Sequence, residues 1–121
     1  MLHSLAEEFA GSADFAGVYI SEAHATDVWP VRSSRFASAP VSIPLARTPE
    51  MRASAAAAFA RDYALRFPMY CADVGGAFEA VYSPWPIRIY CIRAGVLTFV
   101  GEPLRAAPDL EALREHLLSV E

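Results

Sequence analysis

The sequence contains no lysine, asparagine or glutamine, and all ten of its basic residues are arginine. Alanine is heavily used, including the run at residues 55–58, and we read this bias as genome composition and not as function. Cysteine is scarce as well. Cys71 and Cys91 form no CxxC pair, which excludes a disulfide scaffold or a thiolate zinc site and leaves reduced thiols as the expectation. No apolar run is long enough to span a bilayer. The opening residues MLHSLAEEFAGS hold glutamates and no basic cluster, so they resemble neither a secretory signal nor a transit peptide. The default expectation is therefore a cytoplasmic protein. The net charge of −4, with no basic stripe to neutralise phosphates, argues against a nucleic-acid partner.

What remains is a chain able to build a core. Its 121 residues are 55% hydrophobic and 20% charged, which predicts one folded domain over residues 1–121 and excludes a disordered tail. Residues 2–11 place Leu2, Leu5, Ala6 and Phe9 on one helical face, and Gly11 follows as a stop. Residues 15–20 (FAGVYI) form a short apolar run that suits a strand covered on both faces, as in parallel sheets. The polar cluster SEAHATD comes next, at the carboxyl end of that strand, where open α/β sheets bind ligands.

Residues 30–47 hold Pro30, Pro40 and Pro44 without periodicity and read as a long loop. Thr48, Pro49 and Glu50 open a helix that should run to Arg66 and stop before Pro68. Residues 69–72 (MYCA) read as a second strand, and Phe78 to Tyr82 as a single helical turn. Residues 87–93 alternate in polarity, Ala94-Gly95 turns the chain, and residues 96–100 return, which is an antiparallel hairpin. Residues 101–107 read as a loop. Pro108 and Asp109 open a last helix with Leu110, Leu113, Leu117 and Val120 on one face.

The order α-β-α-β-(α)-β-β-α is that of an α/β, thioredoxin-like mixed sheet with flanking helices and a C-terminal hairpin and helix, lacking the first strand. In that class a cis-proline precedes the terminal hairpin, the place that Pro86 occupies.

The stretch DFAGVYISEAHATDVW, residues 14–29, resembles the iodothyronine deiodinases, whose motif here is of the type DFLxxYIxEAHxSDGW. Tyr19, Ile20, Glu22, Ala23, His24, Asp27 and Trp29 fall in register. Ile43, Pro44 and Arg47 echo the family's IPxHR, Ala72-Asp73 its VVADT strand end, and Pro86, Arg88, Ile89 and Tyr90 its PERLY. The departures are equally specific. Ala46 stands for the histidine of IPxHR and Val28 for the glycine of SDGW. The family's arginine after the hairpin falls near Pro103, with Arg105 the candidate substitute. The family's selenocysteine or cysteine lies on a strand and loop ahead of the first helix, and these residues do not contain it. The expectation is a reading frame truncated at a selenocysteine codon, or a short protein that repairs its exposed strand edges by forming a homodimer.

The resemblance implies an oxidoreductase that removes iodine from a small aromatic substrate, with a thiol reductant as cosubstrate and no bound cofactor. His24 and Glu22 would handle protons, Glu22 orienting His24 from the same face of an extended segment. Tyr19 either points its hydroxyl at that site or packs in the core. Asp27 and Trp29 either shape the substrate loop or stabilise a turn and fill the core edge. Trp85, beside Pro86, either packs or stacks on the substrate ring. Arg105 completes the substrate-binding set. Arg88 is expected to pair with a surface carboxylate and Asp73 to form a turn. Cys71 and Cys91, inside strands, are expected to be buried and inert. No His/Cys/Asp/Glu cluster has metal-ligand spacing. A thioredoxin- or peroxiredoxin-type redox protein and a non-catalytic binding module on the same fold are the alternatives.

Overall fold

Four helices and three two-stranded ladders make up the computed structural model, which describes residues 2–30, 43–105 and 107–120. Most of the long loop expected at residues 30–47 lies outside the described residues. The chain divides into two compact units. One comprises Met1–Gly17, Leu65–Pro68 and Ile87–Glu121, the other Val18–Ala64 and Met69–Pro86.

The first unit is built on α1 (Leu2–Glu8), the hairpin β3 (Ile89–Arg93) and β4 (Val96–Gly101), and α4 (Leu110–Ser119). Its core is Leu5 and Phe9 from the α1 segment with Leu113 and Leu117 from α4, the faces read from the sequence. Ile89, Cys91 and Phe99 pack on this cluster from the hairpin, so the period-two alternation directs one face of β3 inward. The turn between the strands holds Ala94 at φ 50° and Gly95 at φ 77°, the positive pair that a type I′ hairpin turn requires. Register shifts between Cys91 and Ile92, where Thr98 is the extra residue of β4. Asp109 caps α4 by accepting the Ala112 amide at 3.0 Å.

The expected loop at residues 101–107 is a second small hairpin. Strand β5 (Pro103–Leu104) pairs antiparallel with β6 (Ala107–Pro108), and Arg105 turns between them at φ 50°. Two prolines face each other across this ladder, which limits it to its short length.

The second unit carries α2 (Pro49–Asp62), α3 (Ala77–Tyr82) and the body of β1 (Gly17–Tyr19) and β2 (Met69–Cys71). Gly17 donates to Pro68 O at 2.8 Å and Ala72 to Tyr19 O at 2.9 Å. Bonds that advance in step along both chains define a parallel pair. The run at residues 15–20 pairs only over Gly17–Tyr19, and Val18 is exposed, so it is not a strand covered on both faces. Thr48 caps α2 through the Met51 amide at 3.2 Å. That helix stops at Asp62, short of Arg66, because Ala64 takes a left-handed conformation at φ 49°. The mixed sheet expected from the sequence is present as separate ladders, β1–β2, β3–β4 and β5–β6, among the described residues.

The apolar residues buried in the second unit are small: Ala25, Ala46, Ala56 and Ala72, with Pro84. Beside them lies a buried charge, Arg52, only 3% exposed.

Candidate functional site

The chain leaves β1 at Tyr19 and enters a series of tight turns through residues 21–29. The segment is therefore not extended, and the premise that set Glu22 and His24 on one face does not hold. Glu22 faces other partners. Its Oε1 accepts from the Tyr19 hydroxyl at 3.1 Å and its Oε2 from the Ala46 amide at 3.1 Å. Burial, the negative charge of Glu22 and the hydrogen bond to it push the Tyr19 phenol well above its ordinary pKa, so it stays a donor. His24 is exposed, and its ring lies against that of Trp29 with centroids 4.6 Å apart.

A second carboxylate secures the same turns. Asp27 Oδ1 accepts from the Leu45 amide at 2.8 Å and Oδ2 from Arg47 Nη1 at 2.6 Å. These bonds hold the Asp27 carboxyl below the usual aspartate range. Glu22 and Asp27 thus fasten residues 45–47 to the turns after β1. The two acids of the first motif and residues 45–47 of the second become one hydrogen-bonded unit. Trp29 is 58% exposed, so it fills no core edge.

Four other residues read from the sequence, Asp73, Arg88, Trp85 and Arg105, have clear structural positions. Asp73 accepts from the amides of Ala77 and Phe78, each at 3.0 Å, and so caps α3 as a turn former. Those bonds lower its pKa. Arg88 pairs with Glu102 at 3.0 Å. Trp85 is 47% exposed and joined to Pro86 by a cis peptide bond. Arg105 belongs to the other compact unit, in the β5–β6 turn.

The thiols differ from expectation. Cys71 is exposed, because β2 has β1 on one side and leaves this residue uncovered; its sulfur lies 3.8 Å from Arg52 O. Cys91 is half-buried against the first unit's core, and burial raises its pKa.

Sequence reasoning missed Arg52 and Glu79. Arg52 Nη1 donates to Ala72 O at 3.1 Å and Asp73 O at 2.7 Å, and lies 3.5 Å from Glu79 Oε1. The same Glu79 oxygen accepts the Ser21 amide at 3.3 Å. The available signal was spacing. Arg52 and Ala56 stand four residues apart on α2, so the buried stripe of that helix includes an arginine.

An open hollow of about 480 Å³ lies between residues 43–46 and α2, walled by Ile43, Pro44, Ala46, Met51 and Ala55, with Glu50 and Ser54 at its polar side. Among the described residues, no three His, Cys, Asp or Glu side chains are grouped to hold a metal ion. No described helix is long and apolar enough to cross a membrane.

These features define a mixed α/β protein with a carboxylate, phenol and imidazole set in turns at a strand's carboxyl end. The sequence model of the iodothyronine deiodinase family matches residues 1–120. The chain belongs to the iodothyronine deiodinase family, and its general function is that of a deiodinase-like oxidoreductase.

Proposed function

We propose that this chain is the thioredoxin-like body of an enzyme that reductively removes iodine from an iodinated aromatic substrate. The observation that carries the reading is the turn system after β1, where Glu22 and Asp27 fasten residues 45–47, Tyr19 donates to Glu22, and His24 lies exposed between the two acids. The nucleophile is a selenol or thiol on a strand and loop other than the residues present here. Burial raises the Cys91 pKa, which sets that thiol against the part.

In the first half-reaction the selenolate or thiolate takes iodine from the ring carbon, and that carbon takes a proton. His24 is the proton handler, exposed to solvent and braced by Trp29. Glu22 serves as an anchor: its two hydrogen bonds fix the turn that presents His24. In the second half-reaction two equivalents of a thiol reduce the selenenyl or sulfenyl iodide, becoming a disulfide, releasing iodide and two protons, and restoring the selenolate or thiolate. The hollow lined by Ile43, Pro44 and Ala46 offers apolar walls to an aromatic ring, and Ala46 connects it to Glu22.

The test is iodide release from iodinated phenols by the intact gene product with a dithiol reductant, compared with peroxide reduction. The expected result is iodide release that falls about 100- to 10,000-fold in His24→Ala. Unchanged iodide release in that variant, or turnover of peroxide alone, would refute the assignment.

A further inference from the structure

The second unit contains an ionic pair, with Arg52 buried and Glu79 half-buried, that the proposed chemistry does not use. Arg52 is 3% exposed and its guanidinium links the end of β2, at Ala72 and Asp73, to Glu79 on α3. Glu79 in turn accepts the Ser21 amide, at the residue before Glu22. Arg52 Nε and Glu79 Oε2 are buried without a hydrogen-bond partner among the described residues. An ion pair withdrawn from water on one side and carrying unsatisfied atoms is a poor source of stability, since apolar groups of similar volume often serve as well. Its value lies in direction: hydrogen bonds fix an orientation that apolar contact leaves free. The surrounding buried residues are alanines, which interdigitate little and specify little geometry on their own.

We propose that Arg52 and Glu79 are positioning residues for the turn at residues 19–22, holding the Ser21 amide so that the Glu22 carboxylate meets the Tyr19 hydroxyl and the Ala46 amide together. Arg52 sets Glu79, Glu79 Oε1 sets Ser21, and Ser21 sets Glu22. The consequence reaches Ala46, whose amide donates to Glu22 Oε2. The proposal rests on the deiodinase-like reading only for the purpose the turn serves.

Amide hydrogen exchange of the intact protein, followed residue by residue, tests it. In Glu79→Ala the Ser21 and Ala46 amides should both exchange at least about tenfold faster, while the Ala56 amide inside α2 keeps its rate. Glu79→Gln retains an oxygen acceptor and should keep both amides close to wild type. A purely local role for Glu79 would free Ser21 and leave Ala46 unchanged, which overturns the proposal. Equal acceleration of Ala56 would mean general loosening and also overturns it. Iodide release by the same variants gives an independent readout: kcat should fall in Glu79→Ala with KM little changed, and Glu79→Gln should recover it. Absence of iodide release even in wild type would count against the reaction and leave the exchange result to decide the positioning.

Discussion

The main-chain amide of Ala46 donates to Glu22 Oε2 at 3.1 Å, so a residue whose side chain is only a methyl group still contributes a polar contact to the turns after β1. The other Glu22 oxygen accepts from Tyr19, which leaves the carboxylate bound on both sides. Replacing Glu22 by alanine strands the Tyr19 hydroxyl and the Ala46 amide at once. The expected cost is about 1–3 kcal/mol for each group left buried without an acceptor, the Tyr19 contribution being smaller because that ring is partly exposed. Urea denaturation of wild type and Glu22→Ala measures it, and equal midpoints would show that the two bonds contribute nothing.

Tyr19 gives a pH dependence of definite sign. Its folded-state pKa is raised above the ordinary 10.0, so the unfolded chain loses this proton first as pH rises. The contribution is fully present below pH 10.0 and is lost as pH climbs through the folded-state value. Wild type should therefore lose stability above pH 10.0 more steeply than Tyr19→Phe. Parallel alkaline stability profiles for the two proteins would contradict the raised phenol.

Asp27 and Asp73 act at the other end of the scale. Both have folded pKa values lowered from 3.8, Asp27 chiefly by the Leu45 amide and Asp73 by the Ala77 and Phe78 amides. Their stabilisation is present above pH 3.8 and disappears as pH falls through the depressed values. Asp73→Asn should remove about one proton from the uptake that accompanies acid unfolding. Potentiometric or calorimetric proton counting checks this, and an unchanged count would place the acid response elsewhere.

Much of this arrangement was legible before the structure. The face of α1 with Leu5 and Phe9, the face of α4 with Leu113 and Leu117, the Thr48 cap and the Ala94-Gly95 turn follow from local periodicity and turn chemistry. The motif resemblance singled out Tyr19, Glu22 and Asp27, which the structure joins by hydrogen bonds to one another or to residues 45–47. Periodicity does not report long-range pairing, however. It missed that Glu22 turns toward Ala46, that Arg52 reaches Glu79 across elements, and that Pro103–Leu104 pairs with Ala107–Pro108. It also hid Cys71, which lies in a strand as expected but is exposed because burial depends on what covers a strand, not on the strand itself.

The core of the first unit gives a stability prediction of its own. Phe9 is 2% exposed and contacts the helix pair at its centre. Phe9→Ala should cost about 3–5 kcal/mol, the transfer term plus the cavity left behind. Phe9→Leu, which keeps most of the volume, should cost less than about 1.5 kcal/mol. Denaturant midpoints give both values, and similar losses for the two variants would mean that the cluster repacks around the gap.

The two thiols should separate cleanly by reactivity. Cys71 is exposed on β2, whereas Cys91 faces the cluster of Leu5, Phe9, Leu113 and Leu117, where desolvation disfavours the thiolate. Because the thiolate is the reacting species, a raised pKa and poor access both slow Cys91. An aromatic disulfide reagent at neutral pH should therefore label Cys71 in a fast phase, and Cys91 only at the rate at which the first unit opens. Cys71→Ser should abolish the fast phase alone. Phe9→Ala, by loosening the core, should accelerate the slow phase and leave the fast one unchanged. A single phase for both thiols in wild type would mean that Cys91 is not held in the core, and the packing assigned to β3 would be wrong.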